Sequence, residues 1–302
     1  MLSTCILTPS YAKDLERCRL LCESIDRYVA GYARHYVIVE DKDLALFKPL
    51  SSANRIVLPA SRFLPAWLNF GLKLRVIASR ERFLSRWLRR SLARRTWLSL
   101  FVLPDTGWHV QQLVKLSAAA SVEEPVSVLL DSDIVFLRPW NVAAWAGERP
   151  PLYRAQGGIT SDQEQHPAWL STACAVLGIA PLPLPATDYI GPIIAWDQAN
   201  VRALLNRISL NTGQTWTLAL CNRLKFSEYL LYGCHVASDP AAACRHRWFD
   251  ASISHTYWGN TEMTEAELRS FIAAMVPAQI AICIQSTGGT PVELIRKVTG
   301  FG

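Results

Sequence analysis

The chain has no apolar run approaching the roughly 18 residues that cross a bilayer as a helix. Trp169–Pro185 comes nearest, but Gly178, Pro181, Pro183 and Pro185 interrupt it, and Pro277 breaks Phe271–Ile284. The first residues lack a cationic leader followed by an apolar core, which predicts no signal peptide. No Cys-x-x-Cys pair occurs, which argues against a zinc site. The eight cysteines are irregularly spaced, with Cys18 and Cys22 on one helix face. They read as small core hydrophobes in a reducing compartment, so the expected location is cytoplasmic. No GxGxxG follows the first predicted strand, and the dinucleotide-binding fingerprint is therefore absent. Internal repeats and low-complexity segments are also missing.

Half of the 302 residues are hydrophobic, enough for one large core. Met1–Thr8 reads as a first strand, Pro9–Tyr11 as a turn and Asp14–Tyr28 as an amphipathic helix. His35–Val39 and Arg55–Leu58 are the next strands. This opening predicts a mostly parallel, Rossmann-like α/β sheet flanked by helices. A helix is expected over Leu72–Leu103, a turn at Pro104–Gly107 and another helix over Trp108–Ala120. Later come helices over Pro167–Leu177, Gln198–Ile208 (capped by Asp197), Thr215–Leu231 and Glu265–Met275. The last has a capping box of Thr264 and Glu267. Strands are expected at Leu152–Arg154, Ile193–Trp196 and Gln279–Gln285.

The stretch from Val126 to Trp140 organises the rest. Val126–Leu130 is apolar or small throughout, without alternation, as in a strand buried on both faces. It runs into Asp131-Ser132-Asp133, and a second apolar run, Ile134–Leu137, follows. The two carboxylates then sit at the carboxyl end of a parallel strand, where open α/β sheets bind ligands. Buried carboxylates need compensation, and a hard divalent cation with oxygen ligands supplies it. The plainer reading is an aspartate pair capping a turn.

The formal charge is +6, and it is localised. Ten Lys/Arg between Arg62 and Arg95 (62, 73, 75, 80, 82, 86, 89, 90, 94 and 95) face one acid, Glu81. They alternate with Phe83, Leu84, Trp87, Leu88 and Trp97. Such a basic amphipathic stretch fits phosphate, an acidic polymer or an anionic membrane surface, or simply a solvated helix face.

With these residues in order, the chain resembles GT-A-type glycosyltransferases. It is most similar to the glycogenin-like families and to bacterial GT-A-like proteins with a late Ser-Glu-Tyr-x-x-Tyr-Gly. Lys115-Leu116, Asp131-Ser132-Asp133, Arg138-Pro139 and Ser227–Gly233 carry the resemblance, which covers about residues 1–260. It implies a single GT-A domain over 1–302. Residues 1–140 would be the nucleotide-binding half, with an Arg-rich helical insertion at about 66–104, and 141–302 the acceptor half.

The resemblance also implies Mn²⁺ or Mg²⁺ as cofactor and a nucleotide-sugar as donor. The acceptor would be a glycan or lipid-linked glycan, as in cell-surface polysaccharide synthesis, near the inner face of the membrane. No specific nucleic acid is expected. Metal ligands would be Asp131, Asp133 and His255; imidazole would favour Mn²⁺. Asp131 could instead hold the ribose, and Lys115 the diphosphate or Asp131. Thr8, Ser10, Tyr11 and Asp41 would cradle the nucleotide. Glu228, with Asp188 as its rival, would activate the acceptor hydroxyl. The glycogenin-like His-Gly followed by Lys-Pro-Trp is replaced here by His255-Thr256-Tyr257-Trp258-Gly259. His255 could equally pack beside Tyr257 and Trp258.

Two other classes compete. A haloacid-dehalogenase-type phosphatase or phosphotransferase also uses Asp-x-Asp, but on its first strand and followed by Gly-Thr. A non-enzymatic module could bind nucleic acid through the Arg-rich segment, although no nucleic-acid motif accompanies it.

Overall fold

The computed structural model describes residues 2–68, 96–99, 102–223 and 225–302. The first part of the chain forms β1 (Thr4–Ser10), α1 (Leu15–Tyr28), β2 (Arg34–Val39) and β3 (Arg55–Pro59). It continues through β4 (Thr96–Ser99), β5 (Val102–Thr106), α2 (Gly107–Ser121), β6 (Val126–Leu130) and β7 (Ile134–Phe136). Next come β8 (Pro151–Tyr153), β9 (Ala155–Ile159), α3 (His166–Leu177), β10 (Ala186–Asp188) and β11 (Ile193–Asp197). The helices α4 (Gln198–Thr212), α5 (Trp216–Cys221) and α6 (Glu228–Ser238) follow. Strands β12 (Arg247–Phe249) and β13 (Ser254–Tyr257), helix α7 (Glu265–Ala273), strand β14 (Ala281–Ile284) and helix α8 (Val292–Thr299) close the chain.

The central sheet has the order β11-β6-β1-β2-β3. Its β1, β2, β3 and β6 are parallel, and β11 pairs antiparallel with β6. The fold is thus a mixed α/β architecture with a mostly parallel sheet and flanking helices.

The continuous apolar runs have the cause their pattern implies. Successive strand residues point to opposite faces, and both faces are covered. Cys5, Leu7, Leu129 and Trp196 join Leu113 and Leu116 of α2 in one apolar cluster. Ile6, Val128, Leu130 and Ala195 join Leu21 and Ile25 of α1 in another. Each such aliphatic side chain contributes about 1.5–3 kcal/mol when fully buried. A second, three-stranded sheet of β13, β14 and β7 packs over a third cluster, which includes Val135, Leu268, Ile282 and Ile295. Asp131-Ser132-Asp133 therefore links a strand of one sheet to a strand of the other.

Three boundaries differ from the sequence reading. Pro9 and Ser10 belong to β1 and are not a turn. Pairing with β6 ends at Leu7, while pairing with β2 continues to Ser10. A proline is tolerated where only one edge remains laddered.

The expected helix over Thr215–Leu231 is two helices, so Glu228 begins a helix instead of lying near the end of one. Ser227 accepts from the Leu230 amide (3.5 Å) as an N-cap and restarts the chain. The expected helix over Leu72–Leu103 and the turn after it include residues that pair as an antiparallel β4–β5 hairpin, Thr96 opposite Thr106. Threonine, tryptophan and valine favour that pleated conformation. The rest of that helix, with the arginines from Arg75 to Arg95, lies outside the described residues.

Candidate functional site

The chain leaves β1 toward β2 on one side and returns to β6 on the other. The carboxyl ends of β1 and β6 therefore flank a topological switch point, the crevice where open α/β sheets bind ligands. Pro9 and Tyr11 form one lip and Asp131, Ser132 and Asp133 the other. Between them lies a cavity of about 270 Å³, closed further by Asp14, Ser286 and the α2 residues Trp108, Gln111 and Lys115. Those three are spaced so that one helical face presents them together.

Lys115 is the hub. Its Nζ donates to Asp131 Oδ1 (2.8 Å) and Tyr229 Oη (3.1 Å), and lies 3.0 Å from Glu228 Oε1. Burial works to strip its proton, but the charges of Asp131 and Glu228 prevail and hold its pKa well above the ordinary lysine value. The same ammonium sits 4.7 Å from the Tyr229 ring centroid. Burial pushes the Tyr229 hydroxyl up, so it stays protonated. Gln112 Oε1 accepts from the Glu228 amide (3.1 Å) and ties the start of α6 to α2.

Asp133 is held by the other sheet. Its Oδ2 accepts from the Ser286 amide (3.3 Å), and Cys283 Sγ approaches Oδ1 at 3.7 Å. Its carboxyl is pushed up to about 6, chiefly by burial and then by the like charge of Asp131. Two carboxylates in one cavity, one of them poorly compensated, suit a hard divalent cation. Among the described residues no group of three or more His, Cys, Asp or Glu could hold a metal by itself. Further oxygen ligands would have to come from substrate and water.

Asp131, Lys115 and Trp108 also wall a larger cavity of about 750 Å³. It contains Asp188 and Glu228, the two carboxylates singled out for acceptor activation. Asp188 Oδ1 accepts from the Ile190 amide (3.0 Å), and its Oδ2 lies 3.3 Å from His166 Nδ1. Glu228 is committed to Lys115.

Not every residue singled out from the sequence reaches these cavities. Tyr11 lines the smaller one and Ser10 a neighbouring recess. Thr8 is fully buried beneath them, its Oγ1 3.0 Å from His35 Nε2. Asp41 is at the surface, accepting from the Ser61 amide (3.2 Å). His255 stacks on Phe271 of α7, ring centroids 4.2 Å apart. Its strand neighbours Ser254 and Thr256 line the larger cavity, and the period of two turns His255 the other way. The structure does not bring it together with Asp131 and Asp133.

Several site residues escaped the sequence reading. Tyr229 stood in view inside Ser227–Gly233, but only its contact with Lys115 gives it a role. His166, Trp169 and Trp258 carry no motif, and the sequence offers no signal that brings them together. Gly233 does have a local reason. A Cβ there would lie 2.0 Å from Tyr189 Cγ, so only glycine lets α6 approach that ring.

Comparison with known proteins adds a family. No curated protein matches the chain. Among solved structures, mouse xyloside xylosyltransferase 1 in its apo form superposes over 96% of this chain and 100% of its own. The TM-score is 0.46 and the identity 11%, too slight a likeness to bear on chemistry. A family model described as "Family of unknown function (DUF6492)" matches residues 1–300, and the chain belongs to that family.

Proposed function

We propose that this protein is a metal-dependent glycosyltransferase that moves a sugar from a nucleotide-sugar to a glycan or lipid-linked glycan, as in cell-surface polysaccharide synthesis. One observation carries the reading. A pair of carboxylates and a buried lysine stand at a switch-point crevice, on the boundary between a small and a large cavity. In this reading the nucleoside diphosphate occupies the crevice of Pro9, Tyr11 and Asp131–Asp133, and the acceptor the larger space.

Asp133 would hold Mn²⁺ or Mg²⁺ directly, with Asp131 as second ligand or ribose partner. The bound cation would neutralise the charge that develops on the leaving diphosphate. Lys115, kept charged by its partners, orients Asp131 and adds positive potential on the same side. Glu228 positions Lys115. Asp188, free of any lysine or arginine partner among the described residues, is the carboxylate on the acceptor side. The Arg62–Arg95 segment would hold the enzyme at an anionic membrane surface on the cytoplasmic side, each basic residue adding about 1 kcal/mol.

The test is calorimetric titration of UDP, GDP and CDP with and without Mn²⁺. Asp133→Asn keeps shape and removes one ligand charge, so it should abolish metal-dependent nucleotide binding while the protein stays folded. Unchanged affinity in this variant refutes the metal site. Co-sedimentation with anionic vesicles, reduced by salt and by Arg86, Arg89, Arg90 and Arg94→Gln, tests the membrane contact. Equal partitioning onto neutral vesicles removes it.

A further inference from the structure

The larger cavity has two unlike walls. On one, His166 stacks on Trp169 (centroids 4.9 Å apart, 27° between planes), and Trp108 lies 5.3 Å from Trp169. Trp258 stands at the same cavity. Trp108 and Trp258 are 43% and 54% exposed. Exposing large aromatic rings is unfavourable in water unless something covers them.

The other wall is polar. Ser254 Oγ and Thr256 Oγ1 are buried and have no hydrogen-bond partner among the described residues, although both residues line the cavity. Buried hydroxyls are ordinarily satisfied, so these two call for a ligand or water. Asp188 presents a further acceptor, its Oδ2 3.3 Å from His166 Nδ1.

A ligand that matches both walls has an apolar face and a rim of neutral hydroxyls. A pyranose ring has that construction: axial C–H groups on one face, hydroxyl groups around the edge. A nucleobase would use the rings but has no ring of hydroxyls for Ser254 and Thr256. A long lipid tail would leave all the polar atoms unmet.

We infer that the Trp108–Trp169–Trp258 face and the Ser254, Thr256 and Asp188 hydrogen-bonding groups form a saccharide subsite, which seats a pyranose unit of the acceptor. It rests on the transferase reading only in assigning that sugar to the acceptor. His166 is a positioning residue here. It supports the Trp169 ring and sets the Asp188 carboxylate toward the sugar hydroxyls.

Saturation-transfer NMR on the full chain in the presence of Mg²⁺ tests it, with four methyl glycosides as probes (β-glucoside, β-galactoside, α-mannoside and β-xyloside) and UDP and GDP alongside. At least one glycoside should receive saturation, strongest on the protons of one ring face. Affinity should fall about tenfold or more in Trp169→Ala and in Trp258→Ala, and survive Trp169→Phe. Nucleotide signals should be unchanged in all three variants. Trp258 is exposed, so its variant remains informative if Trp169→Ala folds poorly. No glycoside binding, or binding indifferent to both tryptophans, overturns the inference. Loss of the nucleotide signal in Trp169→Ala also overturns it, because the wall would then hold a base. If glycoside binding depends on Trp169 while neither nucleotide binds the wild type, the saccharide site stands and the transferase reading falls.

Discussion

Replacing Lys115 with methionine isolates the ion-pair hub from everything else in the site. The ammonium has three N–H groups, and Asp131 at 2.8 Å, Glu228 at 3.0 Å and Tyr229 at 3.1 Å account for all of them. The side chain of Lys115 is 7% exposed and that of Glu228 is 4% exposed, whereas Asp131 is 42% exposed. Methionine roughly preserves the volume but strands the Glu228 carboxylate in a buried position. Removing one partner of a buried pair costs about 3–5 kcal/mol. For a chain of this size that lowers Tm by on the order of 10 °C. Glu228→Gln leaves Lys115 paired with Asp131 and should cost less, about 1–2 kcal/mol. The double variant Lys115→Met/Glu228→Gln removes both charges and should recover about 2 kcal/mol relative to Lys115→Met alone. Urea unfolding followed by tryptophan fluorescence measures all three, with equal m-values required for comparison. A loss below about 1 kcal/mol in Lys115→Met, or a double variant no more stable than that single, refutes the buried-hub argument.

Asp133 makes the protein pH-sensitive in two opposite ways. Its carboxyl rises from 3.8 in the unfolded chain to about 6, so the folded state binds the extra proton between those values. Metal-free stability should therefore fall as pH rises from 4 to 6, by about 1–3 kcal/mol, and Asp133→Asn should flatten that slope in thermal melts. Mn²⁺ affinity should rise through the same window, because the ligand must be ionised; calorimetry showing a flat profile from pH 5 to 7 contradicts this. Gly233→Ala should destabilise by at least about 2 kcal/mol in urea unfolding, since its Cβ would overlap the Tyr189 ring. A neutral result would mean that α6 and Tyr189 separate easily.

The central sheet was legible because its signal is local. Runs of apolar and small residues without alternation, such as Val126–Leu130, announce strands covered on both faces, and the structure buries every residue of that strand. The N-caps Asp197 and Thr264 were readable for the same reason, since a cap and its helix are neighbours in sequence. The Thr215–Leu231 stretch misleads because its apolar residues continue the helical period across Ser227, the cap that divides it. The β4–β5 hairpin was hidden by arginines and leucines that favour a helix by propensity. In the site, Asp131 and Asp133 could be found from the end of a strand, and Lys115 from the resemblance of its Lys-Leu helix. Tyr229, His166 and Trp169 could not, because their roles arise from contacts between elements far apart in sequence. His255 is a case where the sequence leaves both a ligand and a packed ring open. Position along the chain suggested a ligand, but the alternation of β13 sends its ring to Phe271.

The two acids of Asp131-Ser132-Asp133 answer to different masters. Asp131 follows the end of the central sheet, while Asp133 is gripped by residues more than a hundred positions later. Its carbonyl accepts from the Ile284 amide (3.2 Å) and its carboxylate from the Ser286 amide (3.3 Å). The third apolar cluster, beneath β7 and β14, therefore acts as the lower jaw of a vice whose upper jaw is the central sheet. The setting of the jaws is decided by how Leu268, Ile282 and Ile295 pack, not by the motif itself. A substitution in that cluster can spoil the spacing of the two carboxylates while leaving the central sheet intact, and the final strand and helix are as much a part of the motif as its own three residues.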